Sequence, residues 1–517
     1  MDDRALAIDL GSSSVRAVVF ETAGPGRLAA VDGATARRLR QVSSGQPGQA
    51  TFDADSYLAD LVACIDELSD KGYLEGVNEV AMDCQMHSIV PLGATGRALG
   101  EVVTWADTRA RRPAGAAALG PDARESLRQR TGCAFAPMYW TWRVPWLAGA
   151  SRRGKLSDGG GSPVLFVGIS EYVGLVLLDD PTMSVSMASG TGLLATADHR
   201  WDEAALDLAG ISEAALPPLS SRGWEGRLAG DWKRRWPALA GARWHQALID
   251  GAAANLGMGC DTPSRAALTV GTSAAVRSVR PAGGQSVLPA GLWRYCVDHE
   301  RVVLGAAFSS GGQLYAWALA LWEGSLQAAP GGGAAAPGGE AQELAYSLAM
   351  PVGAGSDGVL VLPWHAGTRP PSAPVPSGEG TVVGLRLTHN GAHIASAAAE
   401  AVCFQLTGGL ADLEAEGGQQ LDIVANGGAI ERSPWWQHRL ATTLGRPLLC
   451  STVPETTARG AAANALGVKL SASQVDGVVV EPVTTDMAAL GQARRRWLEW
   501  YDKMLPIVSE AARHEPN

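Results

Sequence analysis

The sequence predicts a mixed α/β protein made of two related halves, and three observations carry that prediction. Short apolar runs alternate with stretches at helical spacing, the pattern of strands packed beneath helices. A strand, a glycine-hydroxyl turn and a second strand entered through Val-Arg occur twice. They are Leu6-Ala-Ile-Asp-Leu-Gly-Ser-Ser-Ser-Val-Arg16 and Leu268-Thr-Val-Gly-Thr-Ser-Ala-Ala-Val-Arg277. Finally, 46% of the 517 residues are hydrophobic and 18% are charged, which suffices for a large core and excludes wholesale disorder.

In chain order, Ala5–Ile8 and Val15–Phe20 read as strands split by the small-residue turn Gly11–Ser14. Leu58, Leu61, Val62, Ile65 and Leu68 recur at i, i+3, i+4 spacing, so Tyr57–Leu68 reads as an amphipathic helix with Asp53 and Asp55 as capping candidates. Val80–Met82 and Ile89–Leu92 read as strands flanking a polar turn. The repeat places a boundary near residues 245–250, giving domains 1–248 and 249–517. In the second, Val302–Ala307, Gly358–Leu362 and Leu421–Val424 read as strands. His393–Leu413, Trp435–Leu444 and Thr457–Leu466 read as helices. Gln327–Glu340 is low in complexity and reads as a surface insertion, and Pro370–Pro376 as a loop.

With 42 Lys and Arg against 52 Asp and Glu, the formal charge is −10. With no basic block either, the chain does not read as a nucleic-acid binder. Net charge does not argue against one small anion held by backbone groups. The seven cysteines show no C-x-x-C pair and read as buried reduced thiols. MDDRALAIDLG is no signal peptide, and no run of about 18 apolar residues suggests a membrane span. The expectation is a cytoplasmic protein without membrane or nucleic-acid partners.

Three glycine turns, each after an apolar strand, are candidates for holding phosphate: Gly11–Ser14, Gly271–Ser273 and Asn426–Ala429. Small residues let N–H groups converge on an anion, and hydroxyls add donors. Asp9, one residue before the first turn, is placed to hold a divalent cation beside such phosphates. Asp250, in Leu248-Ile-Asp-Gly-Ala-Ala-Ala-Asn-Leu-Gly257, reads equally as a helix N-cap or a general base. Two patterns are discounted. Gly149–Lys155 fits G-x-x-x-x-G-K, but Leu156 stands where a cation-binding hydroxyl is required. His389 and His393 have metal-pair spacing without an acidic or thiol ligand alongside.

These motifs, in this order over nearly the whole chain, resemble those of the FGGY carbohydrate kinases. Ile8–Arg16 is similar to the family's first phosphate motif and Val270–Ser273 to the second. Ala425–Ala429 with Ser433-Pro-Trp-Trp436 resembles the adenosine motif, and Ser309–Gln313 with Trp317 the nucleotide-side stretch. Gln85–Ile89, Thr104–Arg109, Ala136–Met138, Ser186–Gly192, Asp250–Gly257 and Leu292–Tyr295 look most like bacterial gluconokinases, with xylulokinases next. Ile169-Ser-Glu-Tyr172 stands where gluconokinases usually show Ile-Lys-Glu-Tyr, removing a cation available to a sugar carboxylate.

The resemblance implies two actin-like (ribonuclease H-like) α/β domains around a central cleft, with ATP and Mg2+ as cofactors. It implies a kinase acting on a terminal primary hydroxyl of a small sugar or sugar acid, gluconate first and D-xylulose or another pentulose or polyol second, and it admits a homodimer. Asp250 is then the base and Asp9 the metal anchor. Gly11, Ser12, Ser13, Arg16, Gly271, Thr272, Gly312, Gly427, Gly428 and Ser433 take the nucleotide. Gln85, Met86, His87, Trp105, Asp107 and Arg109 join Asp250 around the sugar.

Overall fold

The computed structural model describes residues 3–110, 113, 119–152, 163–283, 287–327, 352–372, 378–470 and 475–514. Most of the 327–340 insertion, residues 153–155 of the G-x-x-x-x-G-K match and residues 373–376 of the proline-rich loop lie outside these described residues.

The first half is organised on strands β1 (Arg4–Leu10), β2 (Ser14–Thr22) and β3 (Leu28–Leu39), an antiparallel meander. Helix α1 (Ala54–Asp70) follows, started by the Asp53 carboxylate, which accepts the Ser56 N–H. Strand β4 (Val77–Cys84) then enters parallel to β1. The short strands β5 (Arg243–Trp244) and β6 (Leu248–Ile249) add along β4, and helix α2 (Asp250–Gly257) begins where β6 ends.

The second half repeats this plan. Strands β7 (Arg265–Val270), β8 (Ala274–Pro281), β9 (Trp293–Cys296) and β10 (Arg301–Phe308) form its antiparallel part, ordered β9-β10-β8-β7. Helix α3 (Gly391–Gly417) leads to β11 (Asp422–Asn426), which lies parallel to β7 as β4 does to β1. Strand β12 (Leu448–Ser451), helix α4 (Thr456–Ala465) and strand β13 (Gly477–Val480) complete it. The duplicated turns therefore occupy equivalent places, β1–β2 and β7–β8. Helix α3 is long and apolar enough to cross a membrane by length and composition, yet it is largely buried in the second core.

Residue size explains how the halves meet. On β1, Leu6, Ile8 and Leu10 face the large core under α1, while Ala5 and Ala7 face Ala458 and Ala462 of α4. Small residues let that helix lie close on the sheet, and Asp9 shares this seam face. α4 in turn crosses α2 backbone to backbone: a Cβ at Gly257 would stand 1.8 Å from the Thr456 carbonyl oxygen, and one at Gly460 1.8 Å from that of Ala253. Only glycine fits either position.

The expected elements are found with small shifts, apart from Gly358–Leu362. Only Leu360–Leu362 is extended, in a separate two-stranded ribbon with Thr381–Val383 outside the main sheet. All seven cysteines are buried and free.

Candidate active site

Two adjoining cavities lie along the seam. The inner one, about 350 Å³, is walled by Met86, His87, Trp105, Tyr139, Trp293 and Tyr295, with Asp250, Arg277 and Arg369 as its charged groups. The outer one, about 500 Å³, is rich in hydroxyls: Ser12, Ser13, Thr272, Ser273, Ser309 and Thr368. Ser12, Ser273 and Arg369 belong to both walls, so the two make one cleft.

The first two glycine turns line this cleft through Ser12, Ser13, Thr272 and Ser273, and the third, Asn426–Ala429, packs against the second without lining either cavity. The Tyr57 hydroxyl, on α1, donates to the Gly11 carbonyl at 2.9 Å and pins the first turn. The Gly312 N–H donates to the Gly271 carbonyl at 2.7 Å, and a Cβ on Gly312 would stand 2.7 Å from that of Ala429. Gly427 adopts φ 108°, and a Cβ there would stand 2.4 Å from the Val270 carbonyl oxygen. Glycine is required at 312 and 427 because the second turn, the third turn and the Gly312 helix start pack on each other, while Thr272 and Ser273 of the second turn line the cleft.

Asp250 is the first residue of α2 rather than its cap: Ile249 holds the cap position, and the Asp250 carboxylate accepts only the adjacent Gly251 N–H, at 2.7 Å. Burial raises its pKa, against the opposing pull of the Arg277 and Arg369 guanidiniums. Arg277 is held by Asn255 of α2 (Nε to Oδ1, 3.1 Å) and by Thr269 (Nη2 to Oγ1, 2.9 Å). Thr269 donates to Asn426 at 2.8 Å, and Asn426 to Thr456 at 3.3 Å. A chain of hydrogen bonds thus runs from the helix bearing Asp250 to the Asn426–Ala429 turn and on to α4. The Arg369 guanidinium lies 4.5 Å from the centre of the Trp105 ring.

His87 is buried at φ 67°, with Nδ1 2.5 Å from the Gly190 carbonyl oxygen. A carbonyl only accepts, so Nδ1 carries the proton and Nε2 is an acceptor. Burial pushes the His87 pKa down to about 3, so the ring is neutral at ordinary pH. Tyr139 and Tyr295 stand edge-on to it and share a 2.8 Å hydrogen bond between their hydroxyls.

Asp9 is the penultimate residue of β1, 7% exposed, with Arg16 Nη1 at 3.7 Å; Arg16 also pairs with Glu455 at 2.6 Å. Beside it on β4, in direct register, is Asp83, fully buried, with neither carboxylate oxygen bonded among the described residues. Burial pushes Asp9 up to about 6, with the charges of Asp250 and Glu455 adding to it, and pushes Asp83 well above the usual carboxylate range, with the charges of Asp9 and Asp250 adding. Among the described residues no three His, Cys, Asp or Glu side chains gather around one point. A carboxylate pair with open positions nevertheless suits Mg2+, which keeps water and takes one or two carboxylates plus phosphate oxygens. The orphaned Asp83 oxygens fit that ion.

The structure brings Ser12, Met86, His87, Trp105 and Asp250 to the inner wall, and Ser13, Asp107 and Thr272 to the outer. It does not bring all the expected residues there. The Asp107 carboxylate is buried and taken up by Arg109 and the Ala50 N–H, while Arg109 turns onto Trp146, 5.3 Å from its ring centre, away from both walls. Gln85 is buried behind the inner wall. Ser433 is buried as the cap of helix Pro434–Leu444, accepting the Trp436 N–H. Ser170, in the place of the missing lysine, is buried against Glu171 and outside both walls, so its substitution changes no charge on either wall.

Sequence reasoning missed Asp83, Arg277 as a wall residue, and Arg369. An acid at the end of the apolar run Val80-Ala-Met-Asp83 and the Val-Arg of the second repeat were signals for the first two.

Residues 4–257 match the profile of the N-terminal domain of the FGGY family of carbohydrate kinases, and residues 266–493 that of its C-terminal domain. The chain is 25% identical to a gluconokinase of Bacillus subtilis (strain 168), over 84% of this chain and 82% of the relative. It is 28% identical to a glycerol kinase of Rhizorhabdus wittichii, over 88% and 86%. Among solved structures it resembles a gluconate kinase from Lactobacillus acidophilus (TM-score 0.82, 21% identity, 98% of this chain and 99% of that one). A xylulose kinase from the same species gives TM-score 0.83 at 21% identity, covering 97% and 98%.

Proposed function

The chain belongs to the FGGY family of carbohydrate kinases, phosphotransferases with an alcohol acceptor, and on that premise we propose that it transfers the γ-phosphoryl group of ATP to the terminal primary hydroxyl of a sugar acid, gluconate first. One observation supports this above the others. Asp250 lines an aromatic-walled cavity with the guanidiniums of Arg277 and Arg369, and that cavity shares Ser12 and Ser273 with an outer one lined by the first two phosphate turns.

In this reading Asp250 accepts the proton of the attacking hydroxyl. Burial makes it a stronger base than a free carboxylate, and the two guanidiniums favour its charged form. His87 Nε2 accepts a hydrogen bond from a sugar hydroxyl and so orients the chain of carbons. N–H groups and hydroxyls of Gly11–Ser13 and Gly271–Thr272 hold the phosphates, the positioning and charge neutralisation on which phosphoryl transfer chiefly depends. Asp9 and Asp83 would hold Mg2+, which when bound neutralises charge on the phosphates. Approach of the two halves about the α2–α4 crossing excludes water and limits hydrolysis.

Arg277 and Arg369 against one acidic wall residue, Asp250, favour an anionic substrate. A neutral pentulose such as D-xylulose is the second reading, favoured by the broad aromatic lining from Trp105, Tyr139, Trp293 and Tyr295. Comparing kcat/KM for gluconate, D-xylulose, L-ribulose and glycerol separates them. Turnover only on an uncharged ketose or polyol overturns the gluconate reading.

A further inference from the structure

Asp83 has no part in the sequence reading, and no Lys, Arg or His among the described residues pairs with it within ion-pair distance, the Arg16 charge acting on it only at longer range. β4 lies parallel to β1 with Asp83 opposite Asp9, so both side chains leave the sheet on the seam face. Asp83 is fully buried, and neither of its oxygens meets a donor among the described residues. The nearby cation, Arg16, lies 3.7 Å from Asp9 but pairs more closely with Glu455, at 2.6 Å. One guanidinium is thus set among three carboxylates, Asp9, Asp83 and Glu455. A buried carboxylate without a counter-charge is expensive, and two excess negative charges match one divalent cation. The donors are hard oxygens, which selects Mg2+ or Mn2+ over softer metals.

We propose that Asp83 and Asp9 together form a divalent-cation site that fills before any nucleotide binds. The cation is then held by the protein rather than delivered only with the phosphates. The competing account is that the two carboxylates share one proton, with Asp83 purely structural. The proposal rests on the register and burial of these side chains and is independent of which sugar is phosphorylated.

Titration of the nucleotide-free, full-length protein with Mn2+, followed by electron paramagnetic resonance, tests it. One Mn2+ should bind per chain and be displaced by Mg2+. Asp83→Asn and Asp9→Asn should each weaken binding by at least about tenfold, the loss typical of even an outer partner of a metal site. Mg2+ should also raise the melting temperature of the nucleotide-free wild type, a readout that needs no variant to fold. Absence of Mn2+ binding in the wild type, no Mg2+-dependent rise in melting temperature, or wild-type Mn2+ affinity in a folded Asp83→Asn protein overturns the proposal. Sugar-dependent ADP release is measured separately. If no sugar is turned over while Mn2+ binding still depends on Asp83, the kinase reading fails and the cation site stands.

Discussion

Gly460→Ala tests how the seam positions the chemistry. An added Cβ would stand 1.8 Å from the Ala253 carbonyl oxygen and 2.7 Å from the Gly257 nitrogen, whereas Cβ contacts below 3.0 Å essentially do not occur. Both obstacles are helix backbone, so no side chain can swing away, and α2 and α4 must part by about 1.2 Å to restore contact. α2 carries Asp250 at its start, and α4 begins beside Glu455 and presents Thr457 to the inner wall. A misplacement of about 1 Å at a reacting centre costs on the order of 10²-fold in rate, and overpacking of this kind about 1–3 kcal/mol. The expected result is kcat lowered about 100-fold in a coupled ADP-release assay, with melting lowered by on the order of 3–8 °C. Gly408→Ala is the control: it lies within α3 with open space around its would-be Cβ, and should be neutral or slightly stabilising. Wild-type kcat and melting in Gly460→Ala would refute the close crossing. A lowered melting temperature with intact kcat would refute its role in placing Asp250.

Three further outcomes are expected. Asp250→Asn should lose about 10²–10⁴-fold in kcat while calorimetry still detects ATP binding, and near-normal turnover removes Asp250 as the base. Because burial holds His87 near a pKa of about 3, kcat/KM should show no imidazole limb between about pH 5 and 8. His87→Ala should raise the sugar KM about tenfold, as loss of one hydrogen bond does, and a limb near pH 6.5 that disappears in this variant would contradict the neutral ring. Burial also pushes Glu171 from the ordinary 4.5 up to about 7. A carboxyl raised in the folded state contributes stability that is full below its unfolded pKa and is lost as pH rises through the folded one. The wild type should therefore lose on the order of 2–3 kcal/mol from this group between about pH 4.5 and 7.5, and Glu171→Gln should flatten that slope. Part of the slope should persist through Glu400, likewise pushed up to about 7. An unchanged slope in Glu171→Gln contradicts the assignment.

The duplicated plan was legible because strand and turn chemistry are local. Leu6-Ala-Ile-Asp-Leu-Gly carries its apolar face, seam face and turn in six residues, and Leu268–Gly271 repeats the tail of that pattern. β3 was not legible: its run Leu28–Leu39 buries only Leu28, Ala34 and Ala36, while Ala29, Ala30 and Leu39 are exposed, too weak an alternation to stand out. Asp9 and Asp250 stood out from the residues themselves, as acids beside a glycine turn and at a Gly/Ala helix start, whereas His87 and Trp105 entered through the family resemblance. The placements of Asp83, Arg277 and Arg369 depend on partners brought together by the fold: Asp9 across a strand pair, Asn255 on α2 and Thr269 on the neighbouring strand, and Trp105 across the cleft. Arg109 and Ser433 show the converse. Motif position marked both, and packing turns them to an ion pair over Trp146 and to a helix cap.

The central claim is that this cleft transfers phosphoryl from ATP to a sugar hydroxyl, and ADP release by the purified protein with and without gluconate tests it most directly. Release should require the sugar, match the amount of phosphorylated product and disappear in Asp250→Asn. ADP release at the same rate without any sugar, unaffected by that substitution, would contradict the account and mark the protein as an ATPase or sensor built on the same fold.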